Sequence, residues 1–203
     1  AMESENMTDI TNSIIQILSD CILTENVKIE SLATFDIEYL FLNVRARSVG
    51  ETVDVNITCP DDGETQVEMS IDIDSIKIQK TRGHKNIIKL DDELSMKLRY
   101  PSLDQFVENN FETGEVVSEV GQSLAMISSC IEMIYNQEES WEASEYSRKE
   151  LDEFLEQMNT KQFKQIEKFF TTMPKLSHTI AVKNPETGVE SEVVLEGLAS
   201  FFS

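Results

Sequence analysis

The sequence predicts an α+β fold: a small antiparallel sheet from two zinc-knuckle-like hairpins, one in the N-terminal half and one at the C-terminus, with a helical insertion between them. Three observations carry this prediction. A Pro-x-x-Gly turn occurs twice, as Cys59-Pro60-Asp61-Asp62-Gly63 and as Asn184-Pro185-Glu186-Thr187-Gly188. In each, proline presets φ and glycine takes the left-handed corner. Apolar residues alternate with polar ones around both turns, the period of a strand with one wet face. Between the two lies a stretch with three-four apolar spacing, the period of a helix. The expected divisions are 1–100 (N-terminal helices, first hairpin and strands), 101–176 (helical insertion) and 177–203 (second hairpin and apolar tail, packing with the first hairpin).

In chain order, Ile10, Ile14, Ile17, Leu18 and Cys21 lie at helical spacing, predicting a helix over 10–23 with Thr8 or Asp9 as N-cap. A second helix is expected over 36–47. Its stripe is Ile37, Leu40, Phe41 and Val44, widened by Tyr39 and Leu42, and Gly50 ends it. Val53, Val55 and Ile57 alternate before the first turn, and Val67, Met69, Ile71 and Ile73 after it. Short strands are expected at 76–78, 87–90 and 96–100. Ser102 and Gln105 fit a capping box, as do Ser147 and Glu150. From Val116 to Tyr135 the spacing of Val120, Leu124, Ile127, Ile131 and Ile134 predicts one long helix. A further helix is expected from Ser147 through Met158, and another from Thr160 to about Pro174. Aligning the turns places Ile57 on Val182 and Val55 on Ile180, so the hairpin is duplicated rather than repeated as a solenoid.

Composition excludes several functions. The 203 residues hold 38 Asp and Glu against 17 Lys and Arg, a formal charge of −21. A nucleic-acid surface needs Lys and Arg to neutralise phosphates, so nucleic acid is not an expected partner. Three widely spaced cysteines, Cys21, Cys59 and Cys130, make no disulfide framework and point to a reducing compartment. No apolar run approaches the roughly 20 residues that span a bilayer, and the first residues lack the basic start of a signal peptide. The expectation is an acidic, soluble, intracellular protein.

The residues of the chain suggest no chemistry. Structural zinc takes four Cys or His ligands; here the turns offer only Cys59, a remnant of such a site, so no metal is expected. Nucleophilic catalysis needs a histidine beside a nucleophile, yet only His84 and His178 exist and no nucleophile elbow or phosphate loop accompanies them. No catalytic residue and no cofactor are therefore assigned. The candidate contacts with a partner are Phe154, Met158, Phe163, Phe169, Phe170 and Met173 in a Phe/Met-rich helix pair, and Leu198, Phe201 and Phe202 in the apolar tail. Plain core is the competing reading of the same residues.

The run Phe35 to Gly50, with Cys59-Pro60 and an alternating acidic strand after it, resembles the T-even-type bacteriophage baseplate hub assembly proteins. That family shows a D-x-x-Y-L-x-L-x-x-R-x-x-x-x-G helix, matched here at Asp36, Tyr39, Leu40, Leu42, Arg45 and Gly50. A C-P-x-C-G-type hairpin follows, then a second one and an L-x-G-L-x-x-F-F ending, matched by Leu195 to Phe202. The resemblance runs from about Ile10 to the end, and departs from the family in keeping only Cys59 of the knuckle cysteines. It implies a non-enzymatic, protein-binding assembly factor or chaperone for the baseplate hub of a contractile tail. The implied partners are baseplate hub or tail proteins of a phage. The implied location is the host cell cytoplasm during virion assembly, or the virion. A permanent structural subunit of the baseplate is the alternative, and a metal-binding module the third reading.

Overall fold

The computed structural model of the chain describes residues 2–103 and 119–201. Its elements run α1 (Met2–Cys21), α2 (Thr34–Ser48), β1 (Thr52–Thr58), β2 (Gln66–Asp72), β3 (Lys77–Gln79), β4 (Ile87–Lys89) and β5 (Ser95–Leu98). After them come α3 (Glu119–Cys130), β6 (Ile131–Tyr135), β7 (Ser140–Glu142), α4 (Arg148–Glu156), α5 (Thr160–Thr172), β8 (Lys175–Lys183) and β9 (Glu190–Glu196). The chain divides into two units. One comprises Ser13–Ile29, Phe35–Gln79 and Pro174–Ser203, the other Ala1–Asn12, Glu30–Thr34 and Lys80–Met173. We call them the hairpin unit and the insertion unit.

In the hairpin unit the alternation around both turns becomes strand pairs. β1 and β2 pair antiparallel from Thr52↔Asp72 to Thr58↔Gln66, and β8 and β9 from Ser177↔Glu196 to Lys183↔Glu190. Val53, Val55, Ile57 and Cys59 of the first hairpin are buried, as are Ile180, Val182 and Asn184 at the equivalent places of the second. The hairpins do not form one sheet, as expected from sequence, but belong to two. β1–β2 stands alone, while the order of the other is β3-β8-β9. The reason is local: Asp72 Oδ1 accepts from the amide of Asp74 at 2.9 Å, capping a 3-10 turn over Ile73–Ser75 that ends β2. The chain then re-enters as β3, which fills the outer edge of β8.

The core of this unit joins both hairpins to α2 through Leu42 and Ala46. The stripe expected on α2 was centred elsewhere; Leu40, Phe41 and Val44 are only partly buried. A helix apolar on most sides leaves the choice of core face to tertiary packing. At the C-terminus, Gly197 (φ 74°) donates its amide to the Leu176 carbonyl at 2.9 Å. The chain then bends into a 3-10 turn that sets Phe201 fully inside. α1 begins earlier than expected, so Thr8 and Asp9 lie within it rather than at its cap. Of its predicted stripe Leu18 is fully buried, whereas Ile17 and Cys21 are exposed.

The insertion unit is not wholly helical. A four-stranded antiparallel sheet of order β4-β5-β6-β7 is covered by a core that takes Ile127 and Cys130 from α3, Leu155 from α4, and Ile166 and Phe169 from α5. The single long helix expected to reach Tyr135 ends at Cys130, and β6 starts on the next residue. Arg99 explains the break: its amide donates to the Cys130 carbonyl at 2.8 Å, and its guanidinium donates twice to the Ser129 carbonyl. The last helical carbonyls are thereby satisfied from outside the helix. Ile131 to Tyr135 then pairs with β5 on one side and β7 on the other. Ser147 and Glu150 form the predicted capping box, whereas α5 is capped by Asn159 with Gln162, one residue before the expected Thr160. Ser102 forms an isolated antiparallel bridge with Ala33; Gln105 and the rest of the helix predicted from Ser102 fall outside the described residues, as do the Val116 start of the next and Phe202.

Candidate functional site

The two turns have the same backbone closure. Gly63 donates its amide to the Cys59 carbonyl and Gly188 to the Asn184 carbonyl, each at 2.9 Å. Both glycines hold positive φ, 70° and 76°, the corner that a side chain would strain. Within the hairpin unit the tips bond to one another. The Asn184 side-chain amide donates to Asp61 Oδ1 and Oδ2 at 3.1 Å and to Asp62 Oδ2 at 2.8 Å. Thr187 Oγ1 donates to Asp61 Oδ2 at 2.5 Å. The amide orientation follows from its other end, because Asn184 Oδ1 accepts from the amides of Glu186 and Thr187. Asn184 is 1% exposed, so this is a buried donor shared by two carboxylates.

The electrostatics follow from that geometry. Asp62 accepts from Thr65 Oγ1, from the amides of Glu64 and Thr65, and from Asn184, which together hold its carboxyl far below the usual range. Thr187, then Asn184, lower Asp61 against the opposing effects of desolvation and of Asp62. Burial first, and the two carboxylates next, push the Cys59 thiol up, so it stays neutral. In the C-P-x-C-G pattern the four ligand positions are 59, 62, 184 and 187; here they hold Cys, Asp, Asn and Thr. Asn184 turns hydrogen-bond donors toward the carboxylates, and the one thiol is not a thiolate. These residues do not fit zinc. Among the described residues no group of three or more His, Cys, Asp or Glu is placed to hold a metal ion.

The predicted contact residues separate by burial. Phe169 is 2% exposed and Phe201 is fully buried, each inside the core of its own unit. Phe154, Met158, Phe163 and Phe170 are partly buried against the insertion core, and Met173 is half-buried. The Leu198 side chain lies outside what is described. Phe154 lines an apolar cleft of about 460 Å³ with Leu94, Ile134, Trp141, Tyr146 and Leu151. Sequence reasoning missed Trp141 and Tyr146; the signal available was the chain's single Trp inside a run of acids. The His84 ring stacks on Tyr100 and lies tilted against Phe169, with centroids 5.6 and 5.1 Å away. Thr172 Oγ1 donates to the Lys168 carbonyl at 2.6 Å and therefore accepts from His84 Nδ1 at 2.9 Å. That tautomer leaves Nε2 buried without a partner among the described residues, and desolvation holds the imidazole below its ordinary pKa.

Among the described residues no helix is long and apolar enough to cross a membrane. A family model described as T4 bacteriophage base plate protein matches residues 1–203. No curated protein and no solved structure matches the chain.

Proposed function

Because this chain belongs to the T4 bacteriophage base plate protein family, we propose that it acts by binding other proteins during assembly of the baseplate hub of a contractile tail. The observation that carries this reading is the family match along the full 203 residues. The hydrogen-bonded turn tips support it, since the place where a knuckle pair would hold a metal is filled by a structural network. No catalytic role is assigned to any residue. The partners are phage hub or tail proteins, met in the host cytoplasm during assembly. The proposed contacts are the partly exposed Phe154, Met158, Phe163, Phe170 and Met173; Leu198 and Phe202 stay in the proposal from sequence alone. Phe169 and Phe201 contribute from inside the fold, by holding those surfaces in shape.

The second reading is a permanent baseplate subunit, which family membership supports equally. Quantitative mass spectrometry of purified virions separates the two. An assembly factor is expected to be absent from finished particles. Recovery at a fixed ratio to known baseplate proteins would make it a structural subunit instead.

A further inference from the structure

Within the insertion unit, β4 and α5 flank a cavity of about 540 Å³. Lys85 and Lys89 line it from the β4 segment, and Lys161 and Lys168 from α5. In a chain of net charge −21 this is a local reversal of sign. Some other lysines meet acids, as Lys97 meets Glu132 and Lys175 meets Glu196. Among the described residues none of the four cavity lysines has an ion pair.

Two acids share the wall, Asp91 and Asp92. Asp91 Oδ1 is taken up by the amides of Glu93 and Leu94, at 2.9 and 2.7 Å. Four ammonium groups against two carboxylates leave the cavity basic, and a bound anion relieves their mutual repulsion. The lining is also apolar, through Ile88, Leu90 and Phe169. Finally, β4 is an edge strand of its sheet, and all three of its residues line the cavity. An edge strand leaves a row of backbone donors and acceptors open to another strand.

Resting on the reading that this chain binds other proteins, we propose that the cavity is a docking site for an acidic, extended segment of a partner protein. The segment adds to the edge of β4, its carboxylates meet Lys85, Lys89, Lys161 and Lys168, and an apolar side chain covers the lining between them. A small inorganic anion would use the lysines but neither the edge nor the apolar lining, and the global charge opposes nucleic acid.

The test uses a short synthetic peptide of alternating glutamate and valine, titrated into the isotope-labelled full chain. Amide signals of residues 85–92 and 161–172 are expected to shift, with affinity falling as salt rises. Lys161→Glu with Lys168→Glu should weaken binding by about tenfold or more. Lys164→Glu, on the same helix but off the cavity, should leave it unchanged. Lys85→Glu with Lys89→Glu is the second pair should the first fail to fold. Undiminished peptide binding by a folded pair variant overturns the site. So does inorganic phosphate that shifts the same signals and displaces the peptide fully. The two readings fail separately. A pair variant that still recovers tail proteins at the wild-type level defeats the docking site alone. A wild-type chain that recovers none defeats the protein-binding function, whatever the peptide does.

Discussion

Phe169→Ser is expected to abolish cooperative folding of the insertion unit. The ring is 2% exposed, stacks on Tyr100 at 5.6 Å and meets Phe170 edge-on at 5.1 Å. Truncating a buried phenylalanine costs about 3–5 kcal/mol, and the serine hydroxyl adds an unpartnered polar group. Against a typical total stability of about 5–15 kcal/mol, that loss is decisive for a small unit. Trp141, the single tryptophan, packs against the same core, so its emission during urea denaturation reports this unit directly. Phe170→Ser, at a partly exposed position, should lower the urea midpoint less and keep the transition cooperative. A Phe169→Ser midpoint equal to wild type would mean that this ring is not holding the core.

The second large effect is expected from Asn184→Asp. The change is nearly isosteric, but it replaces the donor shared by Asp61 and Asp62 with a third carboxylate at a position 1% exposed. A carboxylate there keeps the amides of Glu186 and Thr187 but faces two other carboxylates in place of a shared donor, which is destabilising. The pH dependence identifies the cause. In the wild-type chain both aspartates are held below the ordinary carboxyl value of 3.8. Their contribution is therefore complete above that value and is lost as pH falls through the lower folded values. In the variant the crowded carboxylates are raised instead, so stability should increase as acid protonates them. Thermal unfolding followed by circular dichroism across the acid range gives slopes of opposite sign. Parallel slopes in the two proteins would show that the tip network contributes nothing.

What was legible in the sequence was mostly local. Alternation around Gly63 and Gly188 specified both hairpins, because period two has few competing explanations beside a tight turn. The Ser147–Glu150 box was equally direct, since capping depends on residues three apart. The boundary between α3 and β6 was not legible. Ile131 and Ile134 continue a helical stripe, while Ile131, Met133 and Tyr135 alternate; Arg99 and the partners β5 and β7 decide between them. Of these, Arg99 and β5 are distant in sequence from β6. The tips were located by their repeated motif, but their mutual bonding depends on which amide faces which carboxylate. The lysine cavity was invisible for a similar reason, as its two pairs come from separate segments.

The central claim is that this chain works by binding phage tail proteins. The most direct measurement is affinity purification of a tagged chain from infected cells, with quantification of what accompanies it. The account predicts hub or tail proteins, enriched well above an unrelated acidic control and released by high salt where lysine contacts contribute. A chain recovered alone, from cells in which baseplates are being assembled, would contradict it.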